Sequence, residues 1–341
     1  MQDNITIALD MMSGDDGVVS SVPGAIQALN KHKDLFLILV GNKAEIEKFI
    51  PSNIKKLEHE RYNIIHTNEF ISMQDEVLTA IRSKKKSSMR LSIEAVKENK
   101  ANACVSAGNT GALMALSKII LKMLQGIDRP AICGSFPTKD GLTHMLDLGA
   151  NVQCNSNHLY QFAIMGSALI QSLEISDSPK IGLLNVGSEE FKGNDTIKDS
   201  GKLLQKSKLN YAGFVEGDDI FTGNFDLVVT DGFAGNIALK SIEGVANIIS
   251  HFIKSEFNKN IFTKISAIIS YPVMKAVKKK MDPRRYNGAS LLGLQGIVVK
   301  SHGSADSYAF SRAINTAYYE VKNRILNKIT SLIDIEMSDE K

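Results

Sequence analysis

A chain of 341 residues with 43% hydrophobic and 23% charged side chains can bury a large core, which excludes a disordered polymer. Its net charge of +3 gives no basis for nucleic acid as the partner of the whole molecule. Three cysteines, Cys104, Cys133 and Cys154, are an odd number without C-x-x-C spacing, which argues against a disulfide framework or zinc site and fits a reducing compartment. Gln2-Asp3-Asn4 leads directly into a strand pattern without the n-region and h-region of a signal peptide, so a cytoplasmic location is expected. Ile5 to Leu9, Leu35 to Val40 and Asn63 to His66 read as strands, with helices over Gly24 to Asn30 and Ala44 to Phe49 between them. The central chain reads as helix Ser88 to Lys100, strand Ala103 to Val105, helix Gly111 to Leu124, strands Ala131 to Gly134 and Thr143 to Leu146, and helix Leu159 to Leu173. Strands Ile181 to Leu184 and Leu227 to Val229, helix Asn236 to Phe257, strand Ile297 to Val299 and helix Ala305 to Leu326 complete the pattern. Such alternation predicts an α/β fold with a mostly parallel sheet and helices on both faces. Residues 1–330 are expected to form one catalytic unit of two intimately joined lobes, and residues 331–341 a tail.

The strand ends carry the chemistry. Val105-Ser106-Ala107-Gly108-Asn109-Thr110-Gly111-Ala112 passes from an apolar strand through small residues into a helix. There, free N–H groups and the positive end of the helix dipole make a candidate anion cradle. Leu227-Val228-Val229-Thr230-Asp231-Gly232-Phe233-Ala234-Gly235-Asn236 repeats the arrangement. Either turn alone reads first as an ordinary helix cap. Further small-residue segments follow apolar runs at Asp10 to Asp15, Leu146 to Asn151, Leu183 to Asn194 and Lys300 to Asp306. Because ligands of open α/β sheets bind at the carboxyl ends of strands, five or six loops are expected along one edge.

Phe257 to Met281 holds six lysines and no acid, interleaved with apolar residues, and Pro272 argues for a helical hairpin near residues 245–281 instead of one long helix. Its readings are a membrane-surface segment, a dock for an acidic protein, or a surface helix with a solvated lysine face. No His/Asp/Glu cluster has metal-ligand spacing, so neither a metal nor a cofactor is expected.

Taken together, Ala8-Leu9-Asp10 with Gly14-Asp15, Ser87-Ser88-Met89-Arg90, Ser106 to Leu113, Arg129-Pro130-Ala131, Leu146 to Val152, Asp231 to Asn236, Tyr286-Asn287-Gly288-Ala289 with Leu291 to Leu294, and Lys300-Ser301-His302-Gly303 resemble the bacterial phosphate acyltransferase family of phospholipid synthesis. The matches run in order from about residue 5 to about residue 320. One departure is Met12-Ser13-Gly14-Asp15, where the family has Met-Gly-Gly-Asp; a positive φ at Ser13 would cost roughly 1 kcal/mol. The resemblance implies a fold similar to that of isocitrate and isopropylmalate dehydrogenases. It implies transfer of a fatty acyl group from acyl carrier protein to orthophosphate, giving acyl phosphate. It also implies a homodimer and peripheral membrane association, directly or through the membrane glycerol-3-phosphate acyltransferase.

Phosphate is already a competent nucleophile near neutral pH, so the site should supply donors and cations in place of a strong base. Lys192, beside Gly193 in a loop after a strand, is the expected principal cation, although a plain surface lysine reads the same way. Asn236 is expected to cap its helix, to donate to the oxyanion, or both. His302 is expected to protonate the departing thiolate or bind phosphate, with a loop-tying histidine as the alternative. Phosphate and substrate contacts are expected from Ser106, Gly108, Asn109, Thr110 and Gly111, and from Asn151, Asp231, Gly232 and Gly235. Asp10, Gly14 and Asp147 are expected to support the loops, since a carboxylate repels phosphate. Cys104 lies within a strand, poorly placed as a nucleophile. A phosphate acetyltransferase using acyl-coenzyme A and a non-catalytic membrane-surface scaffold are the alternative functions.

Overall fold

The computed structural model describes residues 4–337. Its strands are β1 (Ile5–Asp10), β2 (Leu35–Gly41), β3 (Tyr62–His66), β4 (Ala103–Ser106), β5 (Ala131–Thr138), β6 (Gly141–Leu146), β7 (Ile181–Leu184), β8 (Tyr211–Val215), β9 (Leu227–Val229), β10 (Ala289–Leu292) and β11 (Ile297–Lys300). The helices are α1 (Val18–Lys31), α2 (Lys43–Phe49), α3 (Ser52–Lys55), α4 (Val77–Ser83), α5 (Ser88–Lys97), α6 (Thr110–Leu121), α7 (Ser156–Ser172), α8 (Asp195–Lys206), α9 (Gly232–Phe257), α10 (Ile261–Met281), α11 (Ser307–Lys322) and α12 (Ile325–Met337).

All eleven strands join one sheet in the order β3-β2-β1-β4-β11-β10-β5-β6-β9-β7-β8. Strand residues alternate between its faces, as the two-residue pleat requires. Ile7 and Leu9 enter a core with Phe162, Ala163 and Phe310, whereas Ala8 enters a second core with Met89, Ile93 and Val298. Burial on both faces explains why these strands read as continuous apolar runs.

Strand direction corrects the expectation of one shared loop edge. Antiparallel pairing of β11 with β10, β10 with β5 and β5 with β6 separates two parallel sets. Hence β6, β9, β7 and β8 run opposite to β1, β2, β3, β4 and β11. The small-residue loops therefore form two groups.

Elements outside the sequence pattern include the short helices α3 and α4, and three others. β8 is a half-exposed edge strand interrupted by Gly213, β10 has four residues, and α8 is a polar surface helix. The predicted hairpin is present as α9 and α10, but its turn falls at Asn258 to Asn260, where Asn260 and Thr263 form a reciprocal cap; Pro272 lies inside α10. Residues 331–337, expected to begin the tail, complete α12, whose Ile329 and Ile333 are buried; residues 338–341 lie outside the described residues.

Glu320 on α11 is fully enclosed and accepts a hydrogen bond from Ser290 Oγ of β10. Burial pushes its carboxyl up to about 7, from an ordinary value of 4.5. Between those values the unfolded chain ionises this group while the folded chain keeps it protonated. Stability from this group should thus fall as pH rises, by about 1 kcal/mol between pH 5.5 and 6.5. Glu320→Gln should flatten that part of the curve in urea unfolding, and identical slopes for both proteins would show that the group is ionised in the fold.

Candidate active site

The first loop group gathers at the carboxyl ends of β1, β4 and β11. Asp10 is buried, and its two carboxylate oxygens accept hydrogen bonds from Ser88 Oγ at 2.5 Å and Ser106 Oγ at 2.7 Å. Burial raises its carboxyl above the ordinary value, against the lowering effect of these hydroxyls. Ser106 Oγ also accepts from Gly108 N at 3.1 Å, so this hydroxyl braces the turn from within. Asn109 caps α6 by accepting from Ala112 N at 3.0 Å, and its Nδ2 donates to Met73 O. Thr110 and Gly111 open α6, so their N–H groups are among those that an α-helix leaves unpaired for an anion.

Ser13 resolves the departure in the first loop. The positive φ belongs to Gly14, at 85°, and Ser13 is not among the residues with positive φ. Its hydroxyl accepts from Ala107 N at 3.2 Å, lies 3.2 Å from Ser106 Oγ and contacts Asp10 O. A Cβ on Gly14 would come within 3.0 Å of Gly303 O, which itself accepts from Asp15 N at 2.8 Å. Only a glycine combines this backbone conformation with such close contact.

The second group is organised by Asp147. Its Oδ1 accepts from the N–H groups of Ile132, Gly149 and Ala150, and its Oδ2 from Asn151 N and Nδ2. Desolvation raises its carboxyl while these donors hold it down. Asn151 spends its other hydrogen bonds on Pro130 O and, through its carbonyl, on Gly232 N. Asp231 caps α9 by accepting from Ala234 N at 2.8 Å, so capping does not fall to Asn236. Gly232 and Gly235 are where α9 lies against the Asp147 to Asn151 loop. Asn236 is exposed beside Gly149, its Cβ 3.4 Å from where a Cβ on that glycine would stand.

Helix α9 joins the two groups. It starts at the Asp147 loop, and its Glu243, paired with Lys240 at 2.8 Å, stands 3.9 Å from His302 Nε2. His302 Nδ1 lies 2.9 Å from Ser304 Oγ and accepts from Ser304 N, while its backbone N–H donates to Asn287. Partial burial depresses the imidazole, with Glu243 pulling the other way. Lys192 occupies the loop between β7 and α8, half-exposed, with Nζ 2.7 Å from Glu189. That hydrogen bond raises the ammonium above its ordinary value. Sequence reading missed Ser13, Ser88, Asn287 and Lys300 as site components. Asn287 Nδ2 donates to Ser301 Oγ and Ala309 O, tying the His302 loop to α11. Only the quoted motif containing Asn287 could have signalled it.

A family model described as "Fatty acid synthesis protein" matches residues 5–328. A phosphate acyltransferase of Methylococcus capsulatus is 50% identical over 324 residues, covering 95% of each chain. One of Legionella pneumophila is 50% identical over 335 residues and 97% of each chain. The chain belongs to the phosphate acyltransferase family.

The acyltransferase also shares its fold with a Streptococcus pyogenes phosphotransacetylase, at TM-score 0.61 and 17% identity over 96% of this chain and 95% of the other. A Klebsiella pneumoniae 4-hydroxythreonine-4-phosphate dehydrogenase aligns at TM-score 0.53 and 12% identity over 93% and 99% of the two chains. These likenesses establish the predicted dehydrogenase-like architecture. Within the acyltransferase, desolvation pushes the buried Cys104 and Cys133 thiols far up and the half-buried Cys154 thiol up to about 12. None supplies appreciable thiolate near neutral pH. Pre-incubation with iodoacetamide at neutral pH should leave acyl transfer within about twofold of the untreated enzyme; rapid stoichiometric inactivation would restore a cysteine nucleophile.

Proposed function

We propose that this phosphate acyltransferase reversibly transfers a long-chain fatty acyl group from acyl-acyl carrier protein to orthophosphate, with residues 1–330 acting as one catalytic unit of two joined lobes. The supporting observation is the span of α9, which places Asn236 at one loop group and Lys240 and Glu243 beside His302 at the other. An oxygen of hydrogen phosphate attacks the thioester carbonyl carbon. The resulting oxyanion collapses, the C–S bond breaks, and the thiolate departs with the proton that phosphate gives up, relayed by His302. Thr110 and Gly111 N–H groups and Lys192 hold the phosphate, Asn236 donates to the oxyanion, and Ser106, Gly108, Asn109, Asn151, Asp231, Gly232 and Gly235 hold the loops that form the pocket. Val186, Phe191, Phe233 and Ile237 are exposed on the loop and helix that carry Lys192 and Asn236, an apolar lining suited to a fatty chain.

In this reading, exposed Lys275, Lys278, Lys279 and Lys280 receive the acidic carrier protein. The apolar side of the hairpin, with Phe252, Phe262, Ile265 and Ile268 exposed, pairs with a second copy and supports peripheral attachment to the membrane. No helix among the described residues is long and apolar enough to cross a bilayer.

Purified protein should consume palmitoyl-acyl carrier protein only with phosphate, and hydroxylamine should trap the acyl phosphate. Equal use of palmitoyl-coenzyme A would replace the carrier protein as donor, and no turnover by folded protein would favour a non-catalytic scaffold.

A further inference from the structure

Asp10, Ser106 and Lys300 are paired in register on neighbouring parallel strands, so their side chains form one row on one face of the sheet at its carboxyl edge. Asp10 and Ser106 satisfy each other and their neighbours. Lys300, only 8% exposed, does not end in an ion pair. Its Nζ donates to Ala107 O at 3.3 Å and to Ser301 O, two carbonyl dipoles, and no carboxylate pairs with it among the described residues. An ammonium in such a place costs several kcal/mol of desolvation unless a counter-charge arrives.

Ala107, whose carbonyl Lys300 meets, belongs to the turn that leads into α6, and the unpaired N–H groups at the head of that helix lie three and four residues beyond it. The charged and titratable groups acting on Lys300 are Asp10 and Asp15 from the first loop, Lys240 from α9, and His302 on its own loop. Asp10 is already held by two serine hydroxyls.

We propose that Lys300 is a buried cation that binds a phosphoryl oxyanion at the head of α6, the anion being the counter-charge that the fold leaves out. This rests on the phosphate-transfer reading and adds a residue to it. The oxyanion can come from orthophosphate or from the phosphodiester of the donor's phosphopantetheine arm. Burial supports the assignment by pushing the ammonium down to about 8, so that above this value, where most of the free lysine is neutral, anion binding must pull a proton onto it.

The test is calorimetric binding of inorganic phosphate and, separately, phosphopantetheine to the full chain and to Lys300→Met. Methionine fills the stem's volume without burying a charge, so thermal stability should be unchanged or higher. Phosphate affinity should fall at least about tenfold. Loss of phosphopantetheine binding instead would support the site with the donor as its source, and unchanged affinity for both would overturn it. Should the variant not fold, wild-type protein decides. Phosphate binding at about pH 8.5, compared in buffers of different ionisation heat, must take up a proton, and no uptake overturns the assignment. Wild-type protein that binds phosphate through Lys300 but yields no acyl phosphate would leave the site standing and sink the transfer reading.

Discussion

Gly235→Ala is expected to cost more than about 3 kcal/mol of folding stability, a severe effect for one methyl group. The added Cβ would stand 1.9 Å from the carbonyl oxygen of Asp147 and 3.1 Å from Thr230 Cγ2. That oxygen cannot move aside, because Asp147 N donates to Thr230 O at 3.0 Å and its carboxylate gathers five N–H donors from Ile132, Gly149, Ala150 and Asn151. The start of α9 would have to withdraw, breaking the Gly232 N to Asn151 O hydrogen bond. Gly244→Ala is the control within the same helix. A Cβ there meets nothing within 4 Å, so alanine should be neutral or add about 0.5–1 kcal/mol through helix propensity. Urea unfolding followed by circular dichroism compares the two. Equal stability of both variants would mean that α9 does not seat against the Asp147 loop.

Asn236→Ala should lower kcat by about 10²- to 10³-fold, the range for loss of one oxyanion donor, while phosphate KM changes little. Asp231 provides the cap, so the substitution leaves the helix start intact and stability should hold. Lys192→Met should act on the other parameter, raising phosphate KM about 10- to 100-fold through loss of a charged hydrogen-bond donor. Its partner Glu189 is exposed, so its release into water carries little structural penalty. Steady-state kinetics with varied phosphate separates these effects. Wild-type constants in both folded variants would remove Lys192 and Asn236 from the transfer machinery.

The loops expected to carry chemistry were legible because strand-to-helix junctions announce themselves as apolar runs followed by glycine and an Asx residue. Asp231 and Asn109 are caps of the predicted kind. Site anatomy was less legible. Ser106, Asn151, Gly232 and Gly235 read as substrate contacts, yet their observed partners are Asp10, Asp147 and neighbouring backbone. Distance in sequence hides such pairs: Ser106 lies 96 positions from Asp10. Lys300 sat within a recognised motif, but its burial depends on loops from three strands, which no local pattern records.

The sequence by itself determined the α/β class, the succession of most strands and helices, the hairpin and the family, because periodicity and ordered motifs are local properties of the chain. Tertiary structure alone decided the reversal of direction between the two parallel sets, the turn at Asn258 to Asn260, the meeting of Glu243 with His302, and the enclosure of Lys300. Each of these depends on strand pairing and on which groups shed water together, and both are fixed only when distant segments pack.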